Sequence, residues 1–266
     1  MKSNPIGIFD SGIGGLTIAH NIKKRLPYEK IIYFGDTKHL PYGEKSNEAI
    51  KQFSEKIIAF LKTKKCKAII IACNSASSVA FNELEKKNKK VMIFNVVDPI
   101  INYIKNNIKN CKIGIIGTKA TVKSKIYKKK ITRISNNNVS SLATPLLAPM
   151  IEEGYFNEAI SNTVINNYLS NAKLKNITHL ILACTHYPLI QQEINNYYNG
   201  RVSVFESSKI ITDYITNKLR ENDLLNNNKR IIKDSFYVSN FTKSFEKSAK
   251  LFFKEKIQLK EIDLDT

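Results

Sequence analysis

The chain has 266 residues, 42% hydrophobic and 24% charged, enough for two domains of ordinary size with buried cores. No apolar run approaches the roughly 20 residues that span a bilayer, and the opening residues enter an apolar strand pattern directly, so neither a membrane span nor a signal peptide is expected. The formal charge of +19 fits either nucleic-acid binding or compositional drift, and the basic runs at 62–65, 86–90 and 128–130 are scattered and lack interleaved aromatics, which favours drift.

Short apolar runs alternate with longer amphipathic stretches, the pattern of parallel strands joined by helices, so the expected class is α/β. Strands are predicted at 6–9, 31–35, 68–72, 91–96, 112–116, 140–144, 179–183 and 202–204. Helices are predicted over much of 15–25, 46–64, 77–87, 99–107, 158–171, 189–197 and 209–220. A strand at 235–238 and a helix at 242–253 close the chain.

The chain repeats itself. Residues 67–75, Lys-Ala-Ile-Ile-Ile-Ala-Cys-Asn-Ser, parallel 178–186, Thr-His-Leu-Ile-Leu-Ala-Cys-Thr-His, with an offset of 111 between Cys73 and Cys184. Residues 6–11 parallel 113–118, with an offset of 107 between Gly7 and Gly114. Two nearly equal offsets in the same order imply duplicated α/β halves. The expected domains are residues 1–97, joined by the returning tail 207–266, and residues 98–206.

Cys73 and Cys184 each end an apolar strand and precede a helix. In parallel sheets, sites form at the carboxyl ends of strands. The N–H groups and dipole of a following helix are expected to draw a thiol from about 8.5 toward neutrality and make it a usable base. One such cysteine is more simply a small buried hydrophobe; two at the same place in a repeat are a candidate pair. Cys66 and Cys111 fall before strands, at the wrong end for a site, and no CxxC pair is present, so free thiols in a reducing cytoplasm are expected.

Asn74, Ser75 and Ser77 follow the first cysteine, and Thr185 and His186 follow the second. These side chains suit a carboxylate as well as a helix cap. His186, two residues from Cys184, is a candidate proton relay. The loop Asp10-Ser11-Gly12-Ile13-Gly14-Gly15 admits an anion close to its backbone but lacks the spacing of a dinucleotide or phosphate loop. Asp10 suits an ammonium group or a thiol that needs orienting. Gly35-Asp36-Thr37 and Pro41-Tyr42-Gly43 read as turn chemistry, and Glu152-Glu153 as a solvated pair in a turn. His20, His39 and His179 make no ligand spacing with the cysteines, so no metal is expected.

Taken together, 7–16, 35–37, 41–43, 72–77, 149–154 and 184–189 resemble the glutamate racemase family, within the aspartate/glutamate racemase superfamily, in order and over most of the chain. The resemblance implies two pseudo-symmetric parallel-sheet domains with glutamate held between them and no cofactor. It implies Cys73 and Cys184 as the two proton carriers, Cys73 for the D- and Cys184 for the L-enantiomer, assisted by Asp10, Glu152 and His186. Ser11, Pro41, Tyr42, Gly43, Asn74, Ser75, Thr185 and His186 match substrate-contacting positions, with Asp10 beside them. Ser75 stands where the family usually has threonine. The implied role is D-glutamate supply for peptidoglycan. The implied partner is a small molecule, glutamate, with no specific nucleic acid, no membrane, and a homodimer as a further option. The rival readings are an aspartate racemase, one methylene away in substrate, and a basic nucleic-acid-associated protein.

Overall fold

Apolar runs that read as continuous rather than alternating belong in sheets covered on both faces, and each half of this chain builds one. The structure, a computed structural model, describes residues 2–156, 158–205, 207–228, 230–253 and 257–265. In chain order the first half contains β1 (Ile6–Asp10), α1 (Leu16–Arg25), β2 (Ile31–Gly35), α2 (Asn47–Thr63), β3 (Ala68–Ile71), α3 (Asn74–Val79), α4 (Phe81–Lys87) and β4 (Met92–Asn95). The second contains α5 (Val97–Asn107), β5 (Lys112–Gly117), α6 (Lys119–Ser124), α7 (Ile126–Ile134), β6 (Asn138–Ala143), α8 (Leu147–Glu152), α9 (Ala159–Leu169), β7 (His179–Ala183), α10 (Gln191–Tyr198) and β8 (Ser203–Val204). The tail adds α11 (Ser207–Glu221), β9 (Ser235–Val238), α12 (Lys243–Phe253) and β10 (Leu259–Glu261).

All strand pairs are parallel. One sheet runs β10-β9-β2-β1-β3-β4 and the other β6-β5-β7-β8, so β2-β1-β3-β4 and β6-β5-β7-β8 are the same arrangement used twice. The registers agree with the sequence repeat to the residue. Gly7 lies opposite Ile69, and offsets of 107 and 111 carry that pair to Gly114 opposite Leu180. β9 and β10 extend the first sheet beyond β2.

Three apolar clusters hold the elements together. One packs Phe9, Ile32 and Ile69 of the first sheet on Ile57, Ile58, Leu61 and Leu84 of α2 and α4. A second packs Ile116, Leu142 and Leu182 of the other sheet on Ile151, Ile165 and Ile194 of α8, α9 and α10. The third joins the two halves: Ile8 and Ile70 share it with Ile113 and Ile181, through Ile18 of α1, Ile100 and Ile104 of α5, and Ile215 of α11. The inner faces of both sheets are therefore covered by shared helices, not by two separate cores.

Several elements differ from the sequence expectation. The helix predicted at 77–87 begins at Asn74 and divides at Ala80. The helix predicted at 189–197 is preceded by a 3-10 turn at Tyr187–Ile190, and α10 starts only at Gln191. α6, α7 and α8 were not predicted, being short or rich in lysine, and β10 lacks an apolar run because it is an edge strand with exposed positions. The second domain's expected end, Glu206, lies outside the described residues. Among the described residues no helix is long and apolar enough to cross a membrane.

Candidate active site

The carboxyl ends of β1, β3, β5 and β7 point toward one another. They enclose a cavity of about 20 Å3, lined by Ser11, Pro41, Tyr42, Gly43, Cys73, Asn74, Ser75, Glu152, Cys184, Thr185 and His186 together with Leu40, Thr118 and Ala148. Cys73 and Cys184 are 4% and 6% exposed. Every site residue that the family resemblance implies reaches this wall except Asp10, which lies directly behind it.

Asp10 ends β1 fully buried. Its Oδ2 accepts the N–H groups of Gly12 at 3.1 Å and Gly15 at 3.0 Å, closing the loop into α1. Its Oδ1 accepts the hydroxyl of Thr185 at 3.2 Å, from the other half of the chain. Burial raises the Asp10 carboxyl above its usual range, partly offset by the charge of His186 and by the two backbone N–H groups. The loop glycines are required by close approach. A Cβ on Gly12 would sit 1.8 Å from Glu152 Oε1, and one on Gly14 would sit 2.5 Å from Thr185 Oγ1.

Cys73 is the residue before α3, with its thiol 3.8 Å from the Ser11 hydroxyl. Burial pushes the thiol up to about 12, and the Asp10 charge adds to this; the Ala76 N–H and Ser11 act in the opposite sense without reversing it. The expectation of a thiol drawn toward neutrality by a helix start is therefore corrected for Cys73 in the free protein. Desolvation of the thiolate outweighs the pull of a six-residue helix. The expectation that Cys184 meets an α-helix start is corrected too, because a turn and the 3-10 segment follow it.

What Cys184 meets is His186, whose Nδ1 lies 3.6 Å from its sulfur. The other ring nitrogen, Nε2, is 2.5 Å from Glu152 Oε1. Burial alone would lower the His186 pKa, but the Glu152 charge, with Cys184 and the hydrogen bonds, holds it well above the ordinary value. Glu152 also accepts the Ile13 N–H at 3.0 Å. The solvated-pair reading of Glu152 is thus corrected: it closes α8, only 11% of its side chain is exposed, and Glu153 alone faces solvent.

On the opposite wall, the buried Tyr42 hydroxyl donates to Asp36 Oδ2 at 2.5 Å. Asp36 also accepts Ser239 Oγ at 2.7 Å and meets His39 Nδ1 at 2.9 Å, so the segment read as plain turn chemistry braces Tyr42. Ser75 Oγ is 2.8 Å from Thr118 Oγ1, across the two halves. Ser77 turns away, donating to Ile71 O at 2.8 Å, and does not line the cavity. Thr118, Leu40 and Ala148 were missed by the sequence reading. Thr118 was findable: the repeat that aligns 6–11 with 113–118 equates it with Ser11. Leu40 and Ala148 carry no such signal. Cys66 is buried under β1, its thiol pushed up to about 12 by burial, and Cys111 contacts the Lys109 carbonyl; neither reaches the cavity. Among the described residues no group of three or more His, Cys, Asp or Glu side chains could hold a metal ion.

The arrangement has acid–base groups from two directions and hydroxyl, amide and backbone donors between them, which suits proton transfer at a carbon beside a carboxylate. Residues 16–215 match the family model described as Asp/Glu/Hydantoin racemase. The glutamate racemase of Thermoanaerobacter pseudethanolicus is 38% identical over 259 residues, covering 97% of this chain and 96% of that protein. That of Aquifex aeolicus is 40% identical over 217 residues, covering 80% and 84%. The crystal structure of glutamate racemase from Francisella tularensis in complex with D-glutamate superposes with a TM-score of 0.92 at 36% identity, covering 100% of this chain and 99% of that one. With the duplicated parallel sheets and the paired cysteines, these similarities show that the chain belongs to the glutamate racemases of the Asp/Glu/hydantoin racemase family.

Proposed function

We propose that Cys73 and Cys184 are the two bases with which this amino-acid racemase carries a proton across the α-carbon of glutamate. The chain is a racemase by family and its substrate is glutamate. The observation that carries the residue assignment is geometric: cysteines ending the equivalent strands β3 and β7 border one buried cavity.

Inversion needs bases on opposite faces of the carbon. A thiolate on one face takes the α-proton, forming S–H as Cα–H breaks, and the electron pair spreads into the α-carboxylate. The thiol on the other face then gives up its proton, forming the new Cα–H bond and leaving a thiolate. Each turnover exchanges thiol and thiolate with no net gain of protons. The Asn74 amide and the Ser75 hydroxyl are the donors for the carboxylate on which charge develops, while the Thr185 hydroxyl donates to Asp10 and Thr185 is a further substrate contact. Ser11, Pro41, Tyr42 and Gly43 form the remaining substrate contacts.

The two bases have different assistants. His186, kept cationic by Glu152, presents a donor to the Cys184 sulfur and can exchange a proton with it. Asp10 positions Thr185 and the Ser11 loop, and its charge keeps Cys73 a strong base once deprotonated. In the free enzyme Cys73 is therefore a thiol; the ammonium charge of bound substrate supplies the opposing pull. A cavity of about 20 Å3 holds no more than about one water molecule, so its walls must open to admit glutamate.

Residues 1–97 with 207–266, and residues 98–206, are the two α/β domains, a division that sheet membership supports. D-glutamate supply for peptidoglycan is the family's role and goes with this assignment. The four free cysteines support a cytoplasmic location. Light scattering of the purified protein tests the homodimer. The deciding experiment for function is chiral chromatography of L-glutamate incubated with purified protein in chelator and without pyridoxal phosphate. D-glutamate should accumulate to a near-equal mixture. A strict need for metal or pyridoxal, or faster turnover of aspartate, would overturn the reading.

A further inference from the structure

The geometry points to Tyr127 as a positioning residue that decides which end of the Asn74 side-chain amide faces the substrate carboxylate. This rests on the two-base reading above and adds to it a residue that touches neither sulfur nor cavity.

Tyr127 lies on α7, in the second half of the chain, and is buried in the cluster that joins the halves. Its hydroxyl donates to Asn74 Oδ1 at 2.7 Å. Asn74 belongs to the first half, follows Cys73 directly and lines the cavity. The bond therefore runs between the two halves.

The two ends of an asparagine amide have almost the same shape but opposite hydrogen-bonding character, and the terminal torsion is two-fold and soft. A carboxylate accepts and never donates, so Asn74 holds it only with Nδ2 turned inward. A phenol that donates to Oδ1 selects that orientation; the flipped amide would leave the buried hydroxyl without an acceptor. Burial, with the nearby charges of Asp98 and Cys184, raises the Tyr127 pKa, so the phenol keeps the proton it donates. Asp98 is itself engaged by Lys130 and by Asn95 Nδ2 at 2.8 Å, and the acceptor of the hydroxyl is Asn74.

The test is a double-mutant cycle. Tyr127→Phe removes the hydroxyl and keeps the ring. It should raise KM for glutamate about tenfold, in both directions, and lower kcat as well, because the amide it orients also meets the charge that develops on the carboxylate. In an Asn74→Ala background the same substitution should change KM by less than about twofold, because the amide it orients is gone. If the interface merely loosened, KM would rise equally in both backgrounds, and that result overturns the inference. So does an unchanged KM in the single Tyr127→Phe variant. If Asn74→Ala turns over too slowly to measure, calorimetric titration with D-glutamate reads the same cycle as Kd. Absence of turnover in the unsubstituted enzyme would strike at the racemase reading instead, and the calorimetric cycle still decides for or against Tyr127.

Discussion

Glu152 Oε1 accepts from His186 Nε2 at 2.5 Å and from the Ile13 N–H at 3.0 Å, so one carboxylate oxygen ties α8, the turn after β7 and the loop after β1. The charge on that oxygen keeps His186 protonated, and its position links the two halves of the chain at the site.

Glu152→Gln should separate the electrostatic part from the steric one. Burial lowers the His186 pKa, and the Glu152 charge is the largest influence raising it. The imidazolium therefore persists below its raised value and is lost as pH rises through it. Neutral glutamine leaves burial in command, so the alkaline limb of the kcat profile should move to lower pH. At pH 8 kcat should fall about a hundredfold. A profile whose alkaline limb stays in place would count against His186 as the partner of Cys184.

Gly12→Ala should damage catalysis more than stability. The added Cβ would meet the far end of the Glu152 side chain, which can swing away, but only by leaving His186 and Ile13. The variant should fold with a melting temperature within a few degrees of the parent and share the displaced pH profile of Glu152→Gln. A fully active Gly12→Ala enzyme would show that Glu152 is not needed where it sits.

Alkylation should inactivate the enzyme, and glutamate should protect it, since the cavity walls that hold the substrate also carry both thiols. Cys73, with its thiol pushed up to about 12, adds a pH signature in the free enzyme. Its rate of modification, followed by peptide mass spectrometry, should keep climbing above pH 9, where an ordinary thiol with a value of about 8.5 levels off. Inactivation that maps only to Cys66 or Cys111 would contradict the site.

Solvent isotope should distinguish two bases from one. In D2O, early product should carry deuterium at the α-carbon while recovered substrate carries almost none, because removal and delivery use different sulfurs. A single base swinging between faces would return some of the original proton. Cys73→Ser and Cys184→Ser should each slow turnover by orders of magnitude, since a hydroxyl is scarcely ionised near neutral pH. Near-normal racemisation by Cys184→Ser in both directions would end the paired-cysteine assignment.

Much of this protein was legible in its residues. The continuous apolar runs specified parallel strands covered on both faces, and the two offsets, 107 and 111, specified that one strand arrangement is used twice. That duplication placed Cys73 and Cys184 at equivalent strand ends, and it also held Thr118, the counterpart of Ser11, for a reader who followed the alignment through.

Glu152 could not be read that way: two acidic residues before a glycine look solvated until α8 folds one of them onto His186. Tyr127 and Asn74 stand 53 positions apart and share no local pattern, yet they meet across the closed halves. The Cys73 thiol was judged from the helix that follows it, whereas its value is set mainly by the loss of water once both halves surround it. Strand patterns and repeats are encoded locally, in residue type and spacing. Desolvation, the direction of a buried amide and the charge on an imidazole depend on atoms brought together from distant parts of the chain, and those only the tertiary structure decided.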